Sequence, residues 1–244
     1  MRNHYYWIHW SRRVFRKQIA VLRKVITERL LPTFNSIENE ADAISDETWE
    51  RLNAIGHPDG DPGMDAETAG DAGDNHYFKM VDAKQGLLNV FAVALHHLLE
   101  QQQLTVIRQE LLPYVEDITK QLLKIVKCPA PEFVKRLNDS GIEVEAFANW
   151  GVLEELRHVA NAVKHADGSS AEWLRTHCPE IFTPPLVRGQ AQQFVQNPIQ
   201  WPFQPLSGQD LYVTTDDIER YFRAADSFWR EFEEALALKA QAIA

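Results

Sequence analysis

Apolar positions along the chain fall mainly at the three-and-four spacing of amphipathic helices. Across residues 10–31, Ile19, Val21, Leu22, Val25, Ile26 and Leu30 keep that spacing until Pro32 breaks it. Ser45 is placed to cap a second helix, DETWERLNAI, which should end near Gly56. Helical spacing resumes at Tyr77 and runs to about residue 112, as one long helix or two abutting ones. Pro113 can open another, through YVEDITKQLLKIVK to the break at CPAP. PEFVKRLNDSG then closes on Gly141 in the manner of a glycine C-cap. The next helix starts near Val144 or Ala146 and stops at Gly168, and SSAEWLRTHCPEIF follows as a short serine-capped helix. TTDDIERYFRAADSFWREFEEALALKAQ carries a threonine cap, acids in its first turn and aromatics on one face.

Two stretches interrupt this pattern. GHPDGDPGMDAETAGDAGDN is rich in Gly, Asp and Pro, and predicts a mobile acidic loop at 56–75. Its aspartates lack the downstream glutamate that a calcium loop requires. TPPLVRGQAQQFVQNPIQWPFQPLSGQDLYV predicts an irregular, proline-punctuated excursion at 183–213, with room for one short strand pair. There is no internal repeat. The expected fold class is all-α: one mostly helical domain over residues 1–244, a bundle with an irregular proline-rich segment before the C-terminal helix.

Composition adds limits. At 244 residues and 45% hydrophobic content, the chain can bury one or two cores. A net charge of −10 argues against indiscriminate nucleic-acid binding. The charge is uneven: Arg12, Arg13, Arg16, Lys17, Arg23, Lys24 and Arg29 crowd the first helix against Glu28 alone, while residues 38–74 are almost wholly acidic. The simpler account is a basic helix neutralised by its acidic neighbour; the other is an RNA-binding face. Two cysteines, Cys128 and Cys178, make no disulfide framework and point to a reducing compartment. The N-terminal stretch is not built as a signal peptide, and no apolar run is long enough for a bilayer, so no membrane association and a cytoplasmic location are expected.

The densest polar chemistry lies in ELRHVANAVKHADG. On a helix, Val152, Leu153, Leu156, Val159, Ala160 and Val163 form one apolar stripe. Glu154, Arg157, His158, Asn161 and His165 gather opposite, with Lys164 at the edge. Arg157, Asn161 and His165 are successive neighbours up one ridge, and Glu154 lies one turn before Arg157. A solvated face with local ion pairs would have this form too. Asparagine and histidine are mediocre helix formers, however, so their place beside an arginine favours a site. His165 supplies a proton donor or acceptor near neutral pH, Arg157 holds a phosphate, and Asn161 orients a ribose or phosphate oxygen. Glu154, His158 and Lys164 complete the binding edge. Such a set can cleave RNA with no metal or other cofactor: a base activates the 2′-hydroxyl, arginine stabilises the transition state, and an acid protonates the leaving oxygen.

An arginine followed by a histidine on one helix face, inside an all-helical bundle, resembles the HEPN superfamily. That resemblance implies a ribonuclease of a toxin–antitoxin, antiviral defence or CRISPR system, with a homodimer pairing two such helices. It implies Arg157 and His165 as the catalytic pair, and His158 as the polar residue after the arginine. Seven residues separate Arg157 from His165, more than is usual in the superfamily, and Asn161 and His165 are the shorter-spaced pair. The leading expectation is thus a HEPN-like protein acting on RNA as a metal-independent endoribonuclease, or a relative that keeps the bundle without the activity. The alternative is a non-catalytic helical module whose polar ridge contacts a partner protein. If catalysis is right, Arg157 and His165 line a shared cleft across a dimer axis.

Other motifs carry less. His96 and His97 point about 100° apart on a helix, so at most one shares a ridge with another ligand. Glu155 and His158 have ExxH spacing, but no second carboxylate helix accompanies them. Cys178 beside His177 reads as a small buried residue rather than a nucleophile. Trp201, Phe203, Tyr212, Tyr221, Phe222, Phe228 and Trp229 suit a core where the proline-rich segment folds back on the last helix. HYYWIHW suits a dimer or partner surface.

Overall fold

A computed structural model describes residues 3–55, 61–111, 129–188 and 202–243. The chain opens with a helical rod. Its parts are α1 (His4–Trp10), a π turn (Ser11–Phe15), α2 (Arg16–Val25), a second π turn (Ile26–Leu30) and a 3-10 turn (Leu31–Phe34). The Asn3 carboxamide accepts from the Tyr6 amide at 3.0 Å and caps α1, so the rod starts before Trp10. Trp7 of HYYWIHW is buried in the core, and Tyr5 is left exposed.

The largest departure from expectation is in the acidic stretch. Residues 61–75 are not a loop: α4 runs unbroken from Pro62 to Val106. Asp61 caps it by accepting from the Gly63 amide at 2.9 Å, and Pro62 fits the first turn. α3 (Ile37–Ile55) lies antiparallel along its first half, with Ser45 inside the helix rather than at its cap. Gly73 permits the close approach, since a Cβ there would sit 2.8 Å from the Ala41 carbonyl. Packing against α3 therefore overrides the weak helix propensity of the glycines and aspartates.

Beyond this two-helix arm, α4 enters the core through Leu88, Phe91, Ala92, Leu95, Leu99 and Val106. The helix expected after Pro113 lies outside the described residues. α5 (Pro129–Asp139) ends at Gly141, whose φ of 73° suits glycine, while the Ile142 amide returns to the Leu137 carbonyl at 2.8 Å. A 3-10 turn (Val144–Ala146) leads into α6 (Trp150–His165), and α7 (Ser169–His177) follows. No side chain caps α7, so Ser169 and Ser170 do not play the expected part. In α8 (Thr215–Ile243), Thr214 and Asp217 form a reciprocal cap: Asp217 N–H donates to Thr214 Oγ1, and Thr214 N–H to Asp217 Oδ2.

α8 is the centre of the core. Tyr221, Phe222, Phe228, Trp229 and Phe232 are all buried, and Trp229 Nε1 donates to Gln102 at 2.7 Å. Three arginines of the basic rod are paired here, and among the described residues none pairs with residues 38–74. Arg12 reaches Glu233 at 3.3 Å, Arg16 reaches Asp226 at 2.8 Å, and Arg23 pairs with Glu219.

Among the described residues the proline-rich excursion contains no strand. Its backbone is held by side chains instead. Asn89 Nδ2 donates to the Pro205 and Leu211 carbonyls at 2.6 and 2.8 Å, and Asn89 Oδ1 accepts from the Val213 amide. Gln85 donates to the Val213 carbonyl, and Arg188 to those of Thr183 and Tyr212. These bonds replace a strand ladder in satisfying buried backbone. Tyr221, Phe222, Phe228 and Trp229 are core residues as expected, Phe203 is exposed, and Trp201 lies outside the described residues. No helix among the described residues is long and apolar enough to cross a membrane.

Candidate functional site

α6 buries Leu156, Val159, Ala160 and Val163, and this fixes where its polar residues point. Glu155, next to the ridge in sequence, turns inward. It accepts from Arg220 Nη1 at 2.8 Å, from Arg220 Nη2, and from the Tyr221 hydroxyl at 2.7 Å. Cys178 adjoins this cluster; burial and then the charges of Glu155 and Glu180 push its thiol up to about 12. Glu155 is therefore not free for the ligand role that its ExxH spacing with His158 suggested. Among the described residues no group of three or more His, Cys, Asp or Glu side chains could hold a metal ion.

His158 is committed as well. Arg157 Nη2, which can only donate, lies 3.1 Å from His158 Nε2, so the imidazole is neutral with its proton on Nδ1. That Nδ1 donates to Ser170 Oγ at 3.2 Å. Trp173 stacks on the ring at 4.3 Å, and His177 stacks on the other face of Trp173 at 4.2 Å. Burial, then the charges of Arg157 and His177, lower the His158 pKa to about 4. At neutral pH it orients Arg157 and carries no charge.

Arg157 and Glu154 stand on one wall of a cleft of about 490 Å³ between α4, α5 and α6. Their ion pair is long, 3.5 Å, and both side chains are more than a third exposed. Leu99, Val134, Trp150 and Leu153 give the cleft an apolar floor. α4 contributes His96, Glu100 and Gln103 from the opposite wall. Glu100 Oε2 lies 2.8 Å from His97 Nδ1, and Oε1 lies 3.5 Å from His96 Nε2. Burial alone would raise the Glu100 carboxyl, but the hydrogen bonds and charges of His96 and then His97 bring it down to about 2.

The other ridge residues lie elsewhere. Asn161, Lys164 and His165 are not among the residues lining the cleft. Asn161 is half-buried, Lys164 and His165 are exposed, and none of their side chains has a hydrogen-bond or ion-pair partner among the described residues. Eight residues of helix place His165 about 12 Å along the axis from Arg157 and about 80° around it. The ridge is continuous on the helix surface, but within one chain it does not bring Arg157 and His165 to a common point.

In sequence His96 reads as no more than a metal-ligand candidate. The i, i+3 and i, i+4 relation of Glu100 to His97 and His96 was a readable signal. Nothing local marked Gln103 or Trp150. No protein-family model, curated protein or solved structure matches the chain.

Proposed function

We propose that the protein is a non-catalytic helical binding module that receives a partner protein in the cleft between α4, α5 and α6. The single observation behind this reading is the division of the ridge: Arg157 and Glu154 rim an apolar-floored cleft, whereas His165 lies well away from it. His158, the histidine touching Arg157, is neutral and bonded on both nitrogens, so it is not available to move a proton. A concave site with an apolar floor and a few convergent polar groups is suited to binding.

The second reading is a HEPN-like, metal-independent endoribonuclease of a defence or toxin–antitoxin system. It is favoured by the unpartnered run of Asn161, Lys164 and His165, which a second copy could meet across a dimer axis. RNA cleavage in EDTA, comparing wild type with Arg157→Ala and His165→Ala, separates the two. The binding reading expects no cleavage that depends on either residue. Cleavage abolished by both substitutions would replace it with the nuclease reading.

A further inference from the structure

One side chain in the cleft is left with an unmade bond. Gln103 is 7% exposed, and its Oε1 is buried with no hydrogen-bond partner among the described residues. A buried acceptor without a donor is costly, and that cost is relieved when the amide turns toward the cleft to meet an incoming N–H. The ionisable groups around it point to the same kind of guest. Carboxylates outnumber cations in the lining: Glu100, Asp139, Glu145 and Glu154 against Lys135 and Arg157. Arg157 is engaged by Glu154 and the His158 ring, and Glu100 by His96 and His97, so Asp139 and Glu145 against Lys135 carry the remaining excess.

The apolar floor must also be matched. Leu99, Val134 and Leu153 offer surface for an alkyl stem, and Trp150 offers an indole ring of the type that attracts cations. A guest with an alkyl stem, a cationic head and several N–H donors satisfies all three features. An anionic guest would meet excess negative charge in the cleft and a chain of net charge −10.

We infer that the cleft receives a lysine or arginine side chain presented by a basic segment of a partner protein. The inference rests on the binding reading and specifies its partner. The acidic residues of the α3–α4 arm, such as Glu47, Asp65 and Asp71, add a field that steers such a segment toward the chain. The cleft then selects by stem and head together.

The test is fluorescence anisotropy with a labelled peptide of alternating Lys, Ala and Arg. Its control carries acetyl-lysine and citrulline at the same positions, keeping the stems and removing the charge. The basic peptide should bind, the neutral one at least about tenfold more weakly. Glu154→Lys, a surface change that leaves the core intact, should weaken binding about tenfold, and Gln103→Leu should weaken it severalfold. Asp71→Lys, on the arm, should change salt dependence and little else. Equal binding of the neutral peptide would overturn the inference. So would an Asp71→Lys effect as large as that of Glu154→Lys, because binding would then be diffuse. Saturation by free butylamine with no gain from the peptide would overturn the protein partner in favour of a small amine. If neutral or acidic peptides shift the Trp150 indole N–H resonance and basic ones do not, this inference fails while the binding reading stands. RNA cleavage dependent on Arg157 and His165, with no peptide bound, removes both.

Discussion

Glu154 and Glu155 are adjacent in sequence, yet they occupy two different surroundings. Glu155 faces α8 and is tied to Arg220 and Tyr221, residues about 65 positions away. Glu154 faces the cleft and, among the described residues, meets Arg157, one turn along its own helix. The inner face of α6 is therefore set by tertiary pairing, and the outer face by local helix geometry. A polar face held only locally keeps its groups available to a partner; one held by distant elements serves the fold.

That contrast can be tested by substitution, starting where the effect is largest. Leu156→Ala, at a fully buried inner position, should cost about 3 kcal/mol in urea unfolding, through lost burial and the cavity left behind. Loss of less than about 1 kcal/mol would show the inner face to be loosely packed. Glu155→Ala should cost about 2 kcal/mol, because the buried Tyr221 hydroxyl loses its partner, while screening of part-exposed Arg220 limits the total. Glu154→Ala should stay within about 0.5 kcal/mol. Equal costs for the two glutamates would abolish the distinction.

The pH dependence of stability sharpens the boundary between the faces. The folded His158 pKa, about 4, lies below its ordinary 6.5. Between those values the unfolded chain binds a proton that the folded chain refuses. Stability present above pH 6.5 is thus lost as pH falls toward 4. His158→Gln should flatten that part of the profile in chemical denaturation. Glu100 acts lower: its contribution is held above about pH 4.5 and lost as pH falls toward 2. Glu100→Gln should therefore alter the more acidic limb. The smallest effect is kinetic. With its thiol pushed up to about 12, Cys178 should resist iodoacetamide at pH 8 in the folded protein and react on unfolding, as read by mass spectrometry of its peptide.

Much of the bundle was legible because helical periodicity and caps are local signals. The apolar stripe of α6, the Gly141 cap and the threonine start of α8 all follow from residues within a few positions of one another. The start of α4, before Tyr77, was not legible. Its glycines and aspartates read as a loop, whereas packing along α3, with Gly73 close against Ala41, goes with a helix there. The proline-rich segment invited a strand pair, whereas Gln85 and Asn89 of a distant helix take its backbone bonds. The candidate site divides in the same way. Glu154 and Arg157 could be placed on one ridge from spacing, but spacing could not show that the facing wall is His96, Glu100 and Gln103.

By itself the sequence determined an all-helical chain, the inward stripe of α6 and the order of polar residues up its outer ridge. Helix pitch fixes those relations whatever the helix packs against. Only the tertiary structure decided which ridge residues enter a cleft, which histidine is held neutral, and which glutamate is used up in holding α8. Those outcomes depend on burial and on partners far away in the chain, and no periodicity encodes either.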